Sequence, residues 1–353
     1  MTVLKLGSLF DGIGVFPLAA VHCGMEPVWA SEIEARPISI TKRHFPDMLH
    51  LGDITKISGA EIPPVDVITF GSPCQDLSQI GTRNGFAGKK SSLFYQAMRI
   101  IEEMRYATNG RYPAFCIWEN VAGAFSSNDR LDFAAMLRAF TGAEVSVPPR
   151  GWAHAGMVRG GRADTAWRLL DAQYWGEPAL VQRRKRVFVV ADFAGQRAGE
   201  VLFKPRTVLP FSAIGGPGGL SATAGSGVPA AQTGRQVPIV RPFSLRRMRT
   251  MAQVGDQKGF CASFGRGGEP FPTLLASVTA PFSFWYEGEE RDGFLRALTP
   301  LECERLMGLP ENWTKYGCKN EEISDHARYR ALGNSIALPC AEYVMAGIAE
   351  VMN

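Results

Sequence analysis

The sequence predicts an α/β fold: a doubly wound, Rossmann-like sheet with a smaller, mainly β or irregular domain set into the chain after it. Three observations predict it. Short apolar runs alternate with longer mixed segments as far as Asp192. Glycines or polar residues follow the early runs directly, at the carboxyl ends where open α/β sheets gather ligands. A long charge-free stretch then interrupts the alternation, and regular patterning returns only at Leu295.

Leu4 to Phe10 reads as a buried strand that ends in Asp11-Gly12-Ile13-Gly14, with an amphipathic segment following to about Cys23. Val28 to Ser31 is a second strand, with a helix-like stretch behind it. Val65 to Phe70 is a third, ending in Gly71-Ser72-Pro73-Cys74, and Phe115 to Trp118 is a fourth, ending in Glu119-Asn120. Val187 to Ala191 is a fifth. Thr207 to Gly234 holds 28 residues without a charge, seven of them glycine, and reads as a flexible loop or linker. Arg235 to Pro270 carries seven basic and two acidic residues, an excess of +5 against +4 for the whole chain. A helix is predicted over Pro300 to Met307, and a last amphipathic helix within Ala331 to Asn353. The expected division is a larger domain at 1–193 plus 329–353, a smaller one at 194–292 and a hinge segment at 293–328.

With 353 residues, the chain can bury a sizeable core. A net charge of +4 permits nucleic acid as a partner without demanding it. The seven cysteines are odd in number and none lie in C-x-x-C spacing, so neither a disulfide framework nor a metal site is expected. That usage suits a reducing, cytoplasmic setting. No basic segment followed by a long apolar run opens the chain, and no apolar stretch approaches 18 residues. Neither a secretory signal nor a membrane span is expected.

Four places carry candidate chemistry. The turn Phe10-Asp11-Gly12-Ile13-Gly14 lets backbone approach a ligand closely at a helix N-terminus. Glu32, 20 positions after Gly12, can accept from ribose hydroxyls. This pair suits a dinucleotide or an adenosyl cofactor equally, since Pro17 stands where the dinucleotide pattern has its third glycine. Cys74, in Gly71-Ser72-Pro73-Cys74-Gln75, is a nucleophile candidate, although an isolated cysteine is more often a small core residue. Glu119 ends an apolar strand, where partial desolvation should raise its pKa; a helix cap or ion-pair partner is the plainer reading. In Gln182-Arg183-Arg184-Lys185-Arg186, strand alternation would send Arg184 and Arg186 to the same side, toward anions or carbonyl oxygens. The plainer reading is a solvated basic run.

Taken in order, these blocks resemble one family. Pro73-Cys74-Gln75, Glu119-Asn120-Val121 and Gln182-x-Arg184-x-Arg186 come first. Arg296-x-Leu298-Thr299-x-x-Glu302-x-x-Arg305-x-Met307-Gly308-Leu309-Pro310 and Gly333-Asn334-Ser335-Ile336-x-x-Pro339 follow. The set is similar to the motifs of the DNA (cytosine-5) methyltransferases, from about Leu6 to Pro339. Val147 to Trp152 and Ala172 to Gly176 look like phage and prophage members in particular.

The resemblance implies a methyl transfer from S-adenosylmethionine to carbon 5 of a cytosine flipped out of double-stranded DNA. It implies Cys74 as nucleophile toward carbon 6, Glu119 at ring N3, Arg184 on the O2 side and Arg186 bracing the site. Toward the cofactor it implies Phe10, Gly12, Gly14, Glu32, Ile33, Asp53, Pro73, Leu93, Asn334 and Ser335. The plainer reading of Asp53, and the less favoured one, is a turn residue. Ser78 to Ser92 would be a closing loop, with Lys89 and Lys90 toward phosphates. Thr273-Leu274 matches a pair in the recognition region, where Arg246, Arg247 and Arg249 are phosphate contacts, base readers or a solvated face.

A partner endonuclease is possible, no membrane partner is implied, and a monomer is the default expectation. The alternatives are a silent DNA-binding relative or an RNA cytosine methylase. Three departures stand out: Ala179-Leu180-Val181 is inserted before Gln182, Ser126 to Arg168 is long, and Gly88 replaces a common Asp.

Overall fold

The computed structural model describes residues 3–72, 93–204, 239–242, 270–271, 273–274, 276, 282–286 and 294–353. Five strands come first along the chain: β1 (Lys5–Leu9), β2 (Glu26–Ser31), β3 (Leu49–His50), β4 (Val67–Phe70) and β5 (Phe115–Val121). They run parallel in the order β3-β2-β1-β4-β5. Three more, β6 (Ala155–Arg159), β7 (Asp164–Asp171) and β8 (Lys185–Asp192), continue the sheet past β5 in the order β8-β7-β6, all antiparallel. β1 lies between β2 and β4, so strand order reverses there and a crevice opens beyond the carboxyl ends.

The helices described are α1 (Val15–His22), α2 (Ala35–His44), α3 (Leu93–Ala107), α4 (Leu131–Thr141), α5 (Ala198–Leu202), α6 (Pro300–Leu306), α7 (Asp325–Asn334) and α8 (Leu338–Met352). Apolar residues of α1, α2, α5 and α8 fill a core on one face of the sheet. Those of α3 and α4, including Ile100, Ile101, Phe133 and Phe140, fill a second core on the other face. Both faces of the central strands are therefore covered, which is why β1 is buried from Leu6 to Leu9 and β4 along its whole length. α6 starts with a capping box: the Thr299 hydroxyl accepts from the Glu302 N–H while the Glu302 carboxylate accepts from the Thr299 N–H. A separate antiparallel sheet joins β9 (Ile239–Pro242), β10 (Phe282–Tyr286) and β11 (Phe294–Ala297) in the order β11-β10-β9.

The five predicted strands are all present. Two features differ from the sequence reading. β5 runs on through Glu119 and Asn120 to Val121, because the antiparallel β8 pairs with it along that whole length. The hairpin β6–β7 occupies part of the long stretch after Ser126. The chain also stays on the larger sheet past residue 193, since α5 packs against β7, β8 and α8. Among the described residues, no single helix is long and apolar enough to cross a membrane.

Candidate functional site

The turn after β1 is built from unusual backbone. Phe10, Gly12 and Gly14 have φ of 54°, 60° and 78°, in the left-handed region. For Phe10 this is a costly conformation, of the kind that collects at ligand sites. At Gly14 a side chain would also press on Phe45 and Thr41. The carboxylate of Glu32, at the end of β2, accepts from Gly12 N–H at 2.9 Å and from the Ile33 and Glu34 N–H groups at 2.7 and 2.9 Å. Ile33 is 73% exposed, an apolar side chain at the crevice mouth. Ser31 Oγ donates to the Gly52 carbonyl at 2.7 Å, bringing the turn that carries Asp53 alongside. Asp53 Oδ1 accepts from the Thr55 N–H and hydroxyl at 2.9 and 2.8 Å. These bonds, led by the backbone one, hold its pKa below the usual range. Asp53 is thus the cap of a short 3-10 turn, which leaves Oδ2 available.

These residues suit an adenosyl ligand. An exposed aliphatic side chain can lie on a purine, and Glu32 and Asp53 offer acceptors on the neighbouring strand ends. The glycine turn also admits close backbone approach.

Beneath the turn lies a group that was not singled out from sequence. Asp11 is buried, and burial lifts its carboxyl from 3.8 to about 7. The Ser8 and Thr41 hydroxyls oppose that rise, and the Glu32 charge adds to it. Its signal in the sequence is a carboxylate lodged inside the glycine turn.

The second half of the site lies at the ends of β4 and β5. Glu119 is 9% exposed and its Oε1 lies 3.0 Å from Arg186 Nε. Burial raises the Glu119 pKa, while Arg186 and then Arg184 draw it back. The segment after β4 is pinned onto β5: Trp118 Nε1 donates to Ser72 Oγ at 3.1 Å and Asn120 Nδ2 to the Ser72 carbonyl at 3.0 Å. A side chain at Gly71 would come 3.1 Å from Glu119 Oε2, so the glycine makes room for the carboxylate.

Arg184 differs from the expectation that it faces the cleft beside Arg186. β8 begins only at Lys185, and the Arg184 side chain turns inward, 1% exposed. Its Nη1 donates to the Leu274 carbonyl at 2.9 Å; Nη2 donates to the Gly333 carbonyl at 2.9 Å and to the Ser335 carbonyl. Burial, then the Arg186 charge, lowers its pKa, yet a guanidinium keeps its proton at neutral pH. Arg184 thus ties the α7–α8 turn, with Asn334 and Ser335, to the strand bearing Arg186. The inserted Val181 is absorbed by pairing: its carbonyl accepts from Phe271 N–H at 2.7 Å, and the Phe271 carbonyl accepts from Arg183 N–H at 2.7 Å. Thr273 is half-buried and its Oγ1 donates to the Arg183 carbonyl at 2.6 Å, while Leu274 is buried in the core.

Leu93 opens α3 and is partly buried. Asn334 closes α7 exposed, and Ser335 is half-buried. Pro73, Cys74, Ser78, Lys89, Lys90, Arg246, Arg247 and Arg249 lie outside the described residues.

The sequence profile of C-5 cytosine-specific DNA methylases matches residues 4–203 and 246–350. A relative from Escherichia phage P1, named DNA N-6-adenine-methyltransferase, is 24% identical over 98% of this chain. The chain spans 61% of that relative's length. The type II methyltransferase M.HhaI of Haemophilus parahaemolyticus is 22% identical, over all of this chain and 96% of its own. A solved DNA modification methyltransferase encoded in an E. coli prophage superposes with a TM-score of 0.59. The match covers 99% of each chain at 18% identity, a likeness of fold.

Proposed function

This chain belongs to the C-5 cytosine-specific DNA methylase family, and on that premise we propose that it methylates carbon 5 of a cytosine flipped out of a specific double-stranded DNA site. The observation that carries the reading is Glu119. It is a buried carboxyl paired with Arg186, set against the Gly71-Ser72 segment at the same crevice as the glycine turn. Cys74 follows Ser72 by two residues in the sequence.

S-adenosylmethionine, when bound, supplies an electrophilic methyl group on a sulfonium. We assign its adenosine to Phe10, Ile33, Glu32, Asp53, Pro73 and Leu93, and its amino-acid end to Gly12, Gly14, Asn334 and Ser335. Cys74, as thiolate, adds to carbon 6 of the base, which makes carbon 5 nucleophilic. Glu119 holds a proton at ring N3, so charge does not accumulate as the thiolate adds. Arg186 keeps Glu119 oriented and favours the thiolate form nearby. After carbon 5 has taken the methyl group, loss of its proton to a base or water expels the thiolate and restores the ring. Arg184 is assigned a bracing part in place of the O2 contact.

For DNA we propose phosphate or base contacts by Ser78, Lys89, Lys90, Arg246, Arg247 and Arg249, with Thr273 and Leu274 anchoring the recognition region. The division at 1–193 plus 329–353, 194–292 and 293–328 belongs to the same proposal, with α5 joining the first unit. So do a monomeric state, action in the cytoplasm and a cognate endonuclease.

The phage P1 relative's name raises a second reading, transfer to adenine N6. An exocyclic amine needs no thiolate, which would leave Cys74 and Glu119 without work.

The test is to incubate duplex DNA with the protein and methyl-labelled donor, then digest it and separate the nucleosides by mass spectrometry. Label in 5-methylcytosine is expected, and label in N6-methyladenine overturns the reading. In the same assay Cys74→Ala should be inactive, and Glu119→Gln should slow single-turnover transfer by about 10²–10⁴-fold.

A further inference from the structure

The carbonyl of Ile13, between the two glycines of the turn, lies outside the helix ladder, because Gly14 is the N-cap of α1. Residue 17, four positions on, is proline and has no N–H to offer. The partner comes from far along the chain. Trp313 Nε1 donates to the Ile13 carbonyl at 2.8 Å, across a separation of 300 residues, and both groups are buried.

The indole is itself held on two sides. The His44 ring stacks on it at 3.6 Å with planes 4° apart, and Phe45 meets it edge-on at 6.1 Å. His44 Nε2 donates to the Trp313 carbonyl at 2.8 Å. On either side of Trp313, the Asn312 and Thr314 N–H groups donate to the buried Glu304 carboxylate at 2.8 and 2.9 Å. Arg328 completes this network by donating to Glu304 and to Thr314 Oγ1, each at 3.0 Å. Trp313 is therefore held on several sides, and it joins Glu32 and Thr41, which bond to the Gly12 N–H and carbonyl, in holding a turn whose glycines permit other conformations.

We infer that Trp313 is a positioning residue for the methyl donor: its indole N–H sets the pose of the Phe10–Gly14 turn. The inference rests on the reading of that turn as the donor site. Trp313 is buried and reaches the turn through its backbone, so its effect falls on donor binding and not on the chemical step.

The experiment compares the full chain with Trp313→Phe, which keeps an aromatic ring for His44 and removes the N–H together with part of the indole's packing. Tyr343→Phe is the control: it deletes a hydroxyl that donates to the Leu202 carbonyl at 2.7 Å, away from the turn. S-adenosylmethionine binding is measured by calorimetry, donor KM and kcat by methyl transfer, and Tm without donor. Trp313→Phe is expected to raise donor Kd and KM by roughly 3- to 10-fold, as for one lost buried hydrogen bond. Its kcat at saturating donor and its KM for DNA should stay within about twofold. Tyr343→Phe should also lower Tm and leave donor Kd unchanged.

An unchanged Kd in Trp313→Phe overturns the inference alone. So does a rise shared equally by the control. If the wild-type chain binds no donor, the reading of the site fails first and the inference falls with it.

Discussion

Asp11 shows how one buried side chain couples the donor turn to pH. In the unfolded chain its carboxyl releases a proton near 3.8; in the folded chain it holds the proton to about 7. Between those values the native state binds more protons than the unfolded one, so stability falls as pH rises through that interval. The slope from this group alone is at most about 1.4 kcal/mol per pH unit. Asp11→Asn should flatten the profile between about pH 4 and 7 in urea titrations, and an unaltered slope would refute the assignment. Glu119 and Glu32 were legible in the sequence because each ends an apolar run where a carboxylate has no core to join. Asp11 was not, because its burial depends on Thr41 and Ser8 packing around it. Trp313 was not either, because an aromatic residue three places beyond Pro310 carries no mark of the carbonyl it will meet.

Among the elements, the strand β5 does more than its sequence announces. The apolar run stops at Trp118, yet the ladder to β8 continues to Val121, pairing Glu119 with Phe188 and Val121 with Arg186. Arg186 and Glu119 are therefore diagonal neighbours on one face of an antiparallel pair. A buried run such as Val187 to Ala191 reads the same in either direction, so the sequence revealed the strand and not its orientation. The approach to β8 hangs on Arg184. Arg184→Lys keeps the charge but cannot span three carbonyls from two separate turns. It should lower the unfolding free energy by about 2–4 kcal/mol, since buried carbonyls lose their donors. Chemical denaturation would measure this, and a loss under about 0.5 kcal/mol would show that the three bonds are dispensable.

Over the whole molecule, the parallel half and its helices could be read from alternation alone. The contacts that complete the site could not, because they join segments hundreds of residues apart. Leu298, Trp313, Leu332 and Val344 fill the same core as Leu6, Val15 and Ala19. The Glu304–Arg328 pair is the polar centre of that C-terminal part, with Glu304 fully buried. Arg328→Met should cost about 3–5 kcal/mol, because it strands a carboxylate in the interior. Urea unfolding at neutral pH would test that, and a neutral result would mean water reaches Glu304. The bond from Trp313 to Ile13 also sets a timetable for biosynthesis. The glycine turn is made 300 residues ahead of the indole that bonds to it. Until Trp313 is made, the turn has its bonds to Glu32 and Thr41 but lacks this one, and the sheet face still waits for α8.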